Sequence, residues 1–425
     1  MSILIVLWFL IQLLNNVNCQ NVLFKPTQRY GHSSTFIDGK LYILSGRDDA
    51  GAARIGKEFF FIDFSVPFNT QNVLSYDLSS INVVPSHVSA ATVKGGANNK
   101  TLIFYGGIPY INNKVAMSLV YAFDTQTNSW APKITSDNLI RKGSLTGIVD
   151  DNGKAYLFGG IFVEKTSFND MLILDTINLS WKIGNSSNAP SPRNAYGATL
   201  LSNHLIIYLG GSTDVFISLK EVYLYDTIND SWSMKVTSGS IPSDRDSFSV
   251  VLGLDGQHVI IFGGKGVRSQ DLYVLDLTNY EWYIPKISGT IPGTRYWHQA
   301  NVIGKYMVIS FGQSYDPKID NDILLLDISN NEEYIWTNVF DPIVPSTNSS
   351  PKNGSSTNYS TASPTPATGG ALSTSAIITI AVGSLVGGIL LTFGGFFLYK
   401  WNKNKEIRKA IPTPGSERIN HNIII

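Results

Sequence analysis

The stretch YLFGG at residues 156–160, followed by LILD at 172–175 and then by Trp181, decides the fold of this chain. An apolar strand ends in two glycines, a second apolar run ends in aspartate, and a tryptophan opens the run after it. The same order returns in YLGG (208–211), YLYD (223–226) and Trp232, and in IIFGG (260–264), YVLD (273–276) and Trp282. One unit of this size cannot bury both faces of its own sheet, so its repetition predicts similar units packed side by side.

Four residue types recur about every fifty residues, which makes chance a poor explanation of the pattern. They are the aspartates Asp124, Asp175, Asp226, Asp276 and Asp327, the tryptophans Trp130, Trp181, Trp232, Trp282 and Trp336, the glycine pairs that begin at Gly106, Gly159, Gly210 and Gly263, and the arginines Arg141, Arg193, Arg245 and Arg295. Copies at both ends are less regular, as expected where a ring closes. The sequence therefore predicts an all-β fold, a six-bladed β-propeller over residues 20–341.

Turn residues give the order of strands within one repeat. Asp38-Gly39, Asn152-Gly153 and Asp255-Gly256 stand between the arginine-led strand and the strand that ends in glycine. Such pairs adopt the positive φ angles of tight hairpin turns. The first and second strands of each blade are therefore predicted to pair. The periodic tryptophan is predicted to open the outermost strand and to pack between blades.

The ordered occurrence of Arg, Gly-Gly, Tyr-x-x-Asp and Trp over residues 29–336 resembles the kelch repeat. Within kelch proteins the chain looks most like the attractin and muskelin type and the propeller of galactose oxidase. The resemblance implies that ligands dock on the face made by the loops after Gly-Gly and the loops before the arginine-led strands. Two departures stand out, namely Pro85-Ser86-His87 where an arginine would stand and an extra stretch at 64–77 in the first blade.

The arginines that lead the repeats are the first candidates for ligand recognition. Guanidinium groups suit carboxylates, and equivalent positions would place them in a ring near one mouth of the axial channel. The alternative is that they pair with acidic residues of adjacent blades. Loops after the glycine pairs supply aromatic and charged residues, which a binding surface needs. The candidate ligand-binding residues are the periodic Arg29, Arg141, Arg193, Arg245 and Arg295 and the loop residues Arg47, Tyr110, Phe162, Asp214, Phe216, Arg268 and Tyr315.

Both ends of the chain carry membrane-targeting patterns. Residues 1–19 contain an apolar run and then a short polar stretch, which predicts a signal peptide cut near Cys19-Gln20, with an uncleaved anchor as the alternative. Residues 373–399 are predicted to form a transmembrane helix, because 376–399 carry no charge and are long enough to cross a hydrocarbon core. Basic residues follow at once, so the tail 400–425 is predicted to be cytoplasmic. We therefore expect a single-pass type I protein, located at the plasma membrane.

Residues 342–372 are rich in Ser, Thr, Pro, Asn and Gly and cannot bury a core, so we predict a disordered, extended stalk. Sequons for N-glycosylation occur in the propeller and cluster in the stalk. Their acceptors are Asn99, Asn178, Asn185, Asn229, Asn348, Asn353 and Asn358. In the predicted span, Gly383 and Gly387 form a GxxxG step, which lets two helices approach closely and makes a homodimer one expectation.

Composition argues against several functions. The net charge is zero with 15% charged residues, so the chain lacks the basic surface that nucleic-acid binding needs. The histidines show no metal-binding spacing, and we expect no metal and no cofactor. His32 and His298 keep open a shared site between the first and last blades, the alternative being two polar side chains in the channel. Cys19 is the only cysteine and lies in the predicted signal, so the mature chain cannot form the cysteine-tyrosine copper centre of galactose oxidase.

Two function classes remain. The first is a binding module, in which the extracytoplasmic propeller binds an extracellular or lumenal protein or glycan for adhesion, sensing or cargo recognition. The second is a membrane-tethered enzyme that acts on carbohydrate in the propeller channel. An enzyme needs titratable groups that converge on the channel mouth, and the periodic positions supply few besides His32 and His298. The sequence favours binding, although the fold alone hosts both classes.

Overall fold

Nearly all regular structure in the described part of the chain is β-strand. The computed structural model describes residues 24–48, 55–109, 119–131, 139–162, 166–266, 272–315 and 322–342. All of them fall within the compact unit Met1–Ser346. The described residues contain two short 3-10 helices, Thr70–Asn72 and Ser79–Ile81.

Six antiparallel sheets form the blades, and each takes its four main strands from one continuous segment of chain. The strands are Ser33–Ile37, Lys40–Leu44, Phe59–Asp63 and Ser75–Asp77 in blade 1; Ala91–Gly95, Thr101–Tyr105, Val120–Asp124 and Ser129–Trp130 in blade 2; Gly147–Val149, Lys154–Phe158, Met171–Asp175 and Ser180–Ile183 in blade 3; Gly197–Leu200, Leu205–Leu209, Glu221–Asp226 and Ser231–Val236 in blade 4; Ser249–Leu252, His258–Phe262, Leu272–Asp276 and Glu281–Tyr283 in blade 5; and Gln299–Ile303, Tyr306–Ser310, Ile323–Asp327 and Glu333–Thr337 in blade 6.

The first strands of the six blades contact one another in chain order, and the first strand of blade 6 contacts that of blade 1. The blades therefore close into a ring around an axis, which confirms the predicted six-bladed propeller. Because neighbouring strands alternate in direction, first-to-second and third-to-fourth connections lie on one face, which we call the hairpin face. Second-to-third connections and the connections between blades lie on the opposite side, which we call the loop face.

Short strands complete the sheets. Segments that lead into blades 5 and 6, Ser238–Gly239 and Lys286–Gly289, each add a fifth, parallel strand to the outer edge of the blade that follows. Among the described residues, three two-residue pairs lie outside the blades. They are His87–Val88 with Ile108–Pro109, Arg295–Tyr296 with Gln313–Ser314, and Phe68–Asn69 with Val339–Phe340.

Turn chemistry explains why the third strand of each blade ends in aspartate. Asp226 Oδ1 accepts hydrogen bonds from the backbone N–H groups of Ile228 and Asn229, both at 2.8 Å. The N–H of Asn229 is the main cause of the lowered pKa of Asp226. Asp175 makes the equivalent turn in blade 3. In blade 1, Asp38 and Gly39 both have positive φ, 48° and 76°, as the predicted hairpin turn requires.

The core consists of apolar layers between neighbouring blades. Trp282 lies in a cluster that joins blade 4, through residues such as Leu209 and Leu224, to Leu275 of its own blade. Trp232 packs against Phe158 of blade 3, with ring centroids 4.9 Å apart. The periodic tryptophans thus lie at blade interfaces, and Trp232, Trp282 and Trp336 are buried.

Ring closure depends on the extra stretch of blade 1. The pair formed by Phe68–Asn69 and Val339–Phe340 joins this stretch to the segment that follows blade 6, and we call it the latch. Phe340 contacts Phe64, Phe68 and Tyr306 with ring centroids 4.8 to 5.2 Å apart. At the other end of the chain, Phe24 forms an isolated bridge with Ser75, so it joins the outer edge of blade 1 and not blade 6.

Four predicted segments at the ends of the chain fall outside the described residues. They are the signal peptide at 1–19, the stalk from residue 343, the membrane span at 373–399 with Gly383 and Gly387, and the tail at 400–425. In the part of the chain that the structure describes, no helix has the length and apolar character needed to cross a bilayer. The anchor therefore stays a prediction.

Candidate functional site

Most of the periodic arginines are buried inside their own blades. Nη1 of Arg193 donates to the carbonyl of Gly210 at 3.2 Å, and Nη1 of Arg245 donates to the carbonyl of Gly263 at 3.1 Å. Arg29 and Arg295 make the same contact with Ser45 and Phe311. All four side chains are at most 2% exposed. Each guanidinium therefore ties the start of a blade to the end of its second strand from a buried position.

Two of these arginines also form ion pairs. Arg29 pairs with Glu58, and Nη1 of Arg295 lies 2.7 Å from Oδ1 of Asp322. Glu58 and Asp322 each precede the third strand of the same blade as their arginine. These two arginines therefore pair with acidic residues of their own blades. The predicted alternative was pairing with acidic residues of adjacent blades.

In blade 3 the position of the leading basic residue differs from the prediction by one. Lys142, not Arg141, is buried there, and its Nζ lies 2.7 Å from Oδ1 of Asp170. Its carbonyl accepts a hydrogen bond from the N–H of Gly107 at 3.0 Å, and the carbonyl of Arg193 accepts one from Gly160 at 2.9 Å. Arg141 is partly buried beside it. The periodic basic residue of this blade is therefore Lys142.

A backbone hydrogen bond from the second glycine of each pair to the leading basic residue of the next blade joins consecutive blades and explains the paired glycines. The N–H of Gly264 donates to the carbonyl of Arg295 at 2.9 Å, and the N–H of Gly312 donates to that of Arg29 at 3.0 Å across the closing junction. Gly263 has a φ of +69°, and a Cβ there would lie 2.3 Å from the carbonyl oxygen of Arg295. Glycine is needed because the next blade's backbone passes too close for a side chain.

A closed ring of backbone hydrogen bonds surrounds the axis on the loop side, and we call it the axial ring. Each blade supplies one residue, whose N–H donates to the carbonyl of the equivalent residue in the preceding blade at 2.7 to 2.9 Å. All six have positive φ, between 51° and 60°. The members are Gly31, Ser89, Ser144, Ala195, Ser247 and Trp297. Five of them are not glycine, so the ring holds a backbone conformation that such residues rarely adopt.

Trp297 is the one large member of the axial ring, and an aromatic and basic surface surrounds it. Its indole stacks on Tyr30 with ring centroids 5.2 Å apart and an interplanar angle of 13°. Tyr296 contacts both Trp297, at 5.3 Å, and Tyr315, at 5.2 Å. We call this group, together with the two cations described next, the loop-face cluster.

Two cations flank these rings. The guanidinium of Arg47 lies 5.9 Å from the ring centroid of Tyr30, and Nζ of Lys265 lies 5.8 Å from that of Trp297. Both cations are exposed, and Tyr315 is 40% exposed. The loop-face cluster therefore consists of Tyr30, Arg47, Lys265, Tyr296, Trp297 and Tyr315, contributed by blades 1, 5 and 6.

Strand pairs hold the cluster in place. Tyr30 and Arg47 exchange two backbone hydrogen bonds of 2.9 Å, and Tyr296 belongs to the short strand that pairs with Gln313–Ser314. The hydroxyl of Tyr315 accepts a hydrogen bond from the N–H of Gly266 at 2.6 Å. A surface built on paired backbone is rigid, so little conformational freedom is lost when a partner binds.

The structure brings together only part of the predicted loop set. Arg47 and Tyr315 belong to the loop-face cluster, and Phe216 lies beside it, 3.1 Å from where a Cβ of Gly266 would stand. Asp214 is exposed on the same loop as Phe216. Phe162 lies on blade 3, across the ring from blade 6. Tyr110 and Arg268 fall outside the described residues.

Tyr30, Tyr296 and Trp297 were not predicted from the sequence, because these residues precede the innermost strands rather than follow the glycine pairs. The signal was present in the sequence as Arg29-Tyr30-Gly31-His32 and Arg295-Tyr296-Trp297-His298. Only the first and last blades carry this Arg-Tyr-x-His motif. Because those blades are neighbours in the closed ring, the two copies meet.

The histidines of this motif serve the blade interfaces. Nε2 of His32 lies 2.9 Å from Oγ of Ser310 in blade 6, and Nε2 of His298 lies 2.9 Å from Oγ of Ser249 in blade 5. Both rings are buried. Among the described residues, no group of three His, Cys, Asp or Glu side chains is placed to hold a metal ion.

The buried histidines His32, His87 and His298 make the stability of the fold sensitive to acid. Burial lowers the pKa of His298 to about 3 and that of His87 to about 4, and it lowers the pKa of His32 well below its usual value. In the unfolded chain a histidine titrates near 6.5, so from about pH 6.5 down to about pH 4 only the unfolded state takes up these protons. Stability is therefore complete above pH 6.5 and falls as the pH drops through this window.

We expect the free energy of unfolding, measured in urea, to fall as the pH drops from 6.5 to 5, with a slope that approaches about 1.4 kcal/mol per pH unit for each such histidine. Replacing one, as in His298→Gln, should make this slope shallower, because one fewer proton is taken up on unfolding. A slope that is unchanged in His298→Gln would contradict this account.

All four sequon asparagines within the described residues are exposed. Asn99, Asn178 and Asn229 lie in turns of the hairpin face, in blades 2, 3 and 4. Nδ2 of Asn229 donates to Oδ2 of Asp226 at 2.8 Å, which leaves its second N–H directed away from that bond. Exposure is compatible with glycosylation, which stays a prediction, as it does for Asn185 and, beyond the described residues, for Asn348, Asn353 and Asn358.

Comparisons with known proteins agree with this architecture. Human host cell factor 2 is 27% identical over 239 residues, which make up 51% of this chain and 29% of that protein. Human kelch domain-containing protein 3 is 27% identical over 239 residues, 51% of this chain and 59% of that protein. The chain thus spans less than two thirds of either relative. The solved structure of YjhT has a TM-score of 0.58 at 15% identity, covering 74% of this chain and 99% of the other, which is a likeness of fold alone.

A sequence profile of the KLHDC2/KLHL20/DRC7 Kelch-repeats domain family matches residues 31–264 and 209–363. These matches span residues 31–363 of a 425-residue chain, and they include all six blades. The arginine anchors, paired glycines and interblade tryptophans account structurally for the repeat that the profile matches. This protein therefore belongs to the KLHDC2/KLHL20/DRC7 Kelch-repeat family.

Proposed function

We propose that this chain is a single-pass type I membrane protein whose extracytoplasmic kelch propeller binds a partner protein through the loop-face cluster. The observation that supports binding is the cluster itself, in which rigid aromatic side chains and two exposed cations stand together on paired backbone. Aromatic residues and arginine are the groups that dominate binding energy at protein interfaces. The kelch propeller fold is consistent with such a module.

The orientation in the membrane is part of the proposal. It is supported by the predicted signal peptide at 1–19, the uncharged segment at 376–399 and the basic residues that follow it. The exposed sequons of the hairpin face fit a translocated propeller.

A protein partner suits the cluster better than a glycan does. Sugar rings bind by stacking on a free aromatic face, whereas Tyr30 and Trp297 already stack on each other, and a cation lies within 6 Å of each ring. What the cluster offers to a ligand is the partly exposed Trp297, the exposed Tyr315 and two positive charges. An acidic, partly apolar protein segment complements these groups.

The proposal is tested on intact cultured cells that carry the full-length chain, screened with a panel of soluble extracellular proteins. We expect at least one member of the panel to bind intact cells, since the propeller would face outward. The double variant Arg47→Glu and Lys265→Glu should weaken that binding at least tenfold, because two exposed attractive charges become repulsive at the cluster.

Lys94→Glu serves as the matched control, because it reverses an exposed lysine near the hairpin-face end of the first strand of blade 2, away from the cluster. Its binding should equal that of the original chain when both reach the cell surface in equal amounts. Binding that is the same for the double variant and the control would place the interface elsewhere. A propeller that is detected only after the cells are permeabilised would overturn the orientation.

A further inference from the structure

The propeller axis contains a cavity of about 480 Å³ that is separate from the loop-face cluster. Innermost strands of all six blades line it, so it is built by ring closure and not by any single loop. Its volume lies within the range of small-molecule sites, about 300 to 1,000 Å³. We call it the axial pit.

The pit is open toward the hairpin face. On the loop side, the axial ring of six hydrogen bonds draws the backbone of all the blades together around the axis. On the hairpin side, Lys94 and Val302 line the pit and are solvent-exposed, each one residue from the end of its strand. A ligand therefore enters from the hairpin face, and on its loop side the pit adjoins a smaller cavity of about 120 Å³ that the axial ring lines.

The walls of the pit are mostly neutral, and several of their polar groups are already paired. Oγ1 of Thr35 donates to Oγ1 of Thr92 at 2.8 Å, and Nδ2 of Asn301 donates to Oγ of Ser34 at 2.8 Å. These bonds join neighbouring blades, so the polar groups that make them are satisfied without a ligand. The apolar part of the wall includes Phe36, Ile148, Val250, Leu252 and Val302.

Lys94 is the one charged residue among the described residues that line the pit. It stands on the same face of its strand as Thr92, with no salt-bridge partner in the described part of the chain. On the hairpin face, Lys100 of the same blade pairs with Asp38 at 3.1 Å. A single unpaired ammonium above an apolar wall favours an anion that carries an apolar body.

We propose that the axial pit binds a small amphipathic organic anion, with its charged group at Lys94 and its apolar body against Phe36, Leu252 and Val302. The site shares no residue with the loop-face cluster. It is therefore independent of the proposed protein-binding function, and either proposal stands if the other fails.

The test is calorimetric titration of the purified full-length chain with naphthalene-2-sulfonate and with the neutral 2-naphthol, which has a similar body. We expect one saturable site that prefers the anion by about tenfold, the order of one charge-assisted contact. Lys94→Met should weaken the anion about tenfold and remove the preference, while Lys94→Arg should retain it. Lys220→Met, at an exposed lysine outside the pit, should behave like the original chain.

A second variant tests whether the ligand binds in the axial pit, and it leaves the charge of Lys94 unchanged. Val302→Trp fills the open end of the pit at an exposed position, so it should abolish binding of both ligands while the thermal unfolding midpoint stays within a few degrees. The proposal is overturned by the absence of a saturable site. It is overturned equally if Lys94→Met and Val302→Trp both bind the anion as the original chain does.

Discussion

Replacing Trp282 by alanine should lower the free energy of unfolding by about 3 to 5 kcal/mol, as expected for removing a large buried aromatic. Trp282 is 1% exposed and packs against side chains of both blade 4 and blade 5, so truncation leaves a cavity at an interface that few other groups can fill. A loss of this size is a large share of the stability of a typical domain. Urea unfolding of the full-length chain measures it.

A companion variant separates packing from hydrogen bonding. The indole N–H of Trp282 is buried and has no acceptor within the described part of the chain. Trp282→Phe should therefore cost about 1 to 2 kcal/mol, much less than alanine, because most of the apolar surface remains and an unpaired donor is removed. The control is Ile284→Ala, at an exposed position two residues away, with an effect within about 0.5 kcal/mol. Equal losses for Trp282→Ala and Ile284→Ala would refute this description of the interface.

Replacing Phe340 by alanine should also destabilise the protein by about 3 to 5 kcal/mol. Its ring is 1% exposed and lies among Phe64, Phe68 and Tyr306, where the last strand meets the extra stretch of blade 1. Loss of this contact weakens the latch, so blades 1 and 6 should show the largest increase in amide hydrogen exchange. Exchange measured by mass spectrometry reports both the size and the place of the change.

Val339 provides the matched control, because it belongs to the same two-residue strand and is half exposed. Val339→Ala keeps the strand and should change stability by less than about 0.5 kcal/mol. If Phe340→Ala raised exchange uniformly in all six blades, the latch would not be the point at which the ring opens.

The sequence predicted the repeating part of the fold because each repeat carries local chemistry at fixed positions. Asp226 ends a strand by capping the turn that follows it, and Gly263 recurs at a fixed place in the repeat because the backbone of the next blade passes close to it. The number of blades follows from counting such units. The tryptophans were predicted to pack between blades for the same reason, since a large side chain at a repeated place needs a repeated interface.

Features without a local signal were missed or misplaced. The latch joins residues about 270 positions apart through two residues on each side, and no period reveals such a pair. Arg141 was predicted to lead blade 3 because arginine fits the pattern, whereas in the structure Lys142 is the buried residue and pairs with Asp170. The role of the arginines depends on exposure, which spacing does not report. Trp297 belongs to a surface formed only when the first and last blades meet.

The arrangement of the blades has a consequence for how the protein is made. Each blade takes its four main strands from adjacent residues, so a nascent chain can complete the early blades one after another while the remainder is still being translated. The ring closes last, because the latch between blades 1 and 6 needs Phe340. Until the ribosome has added that residue, blade 1 presents an uncovered apolar flank that includes Phe60 and Phe64. Quality control during synthesis would therefore act mainly on this single late event.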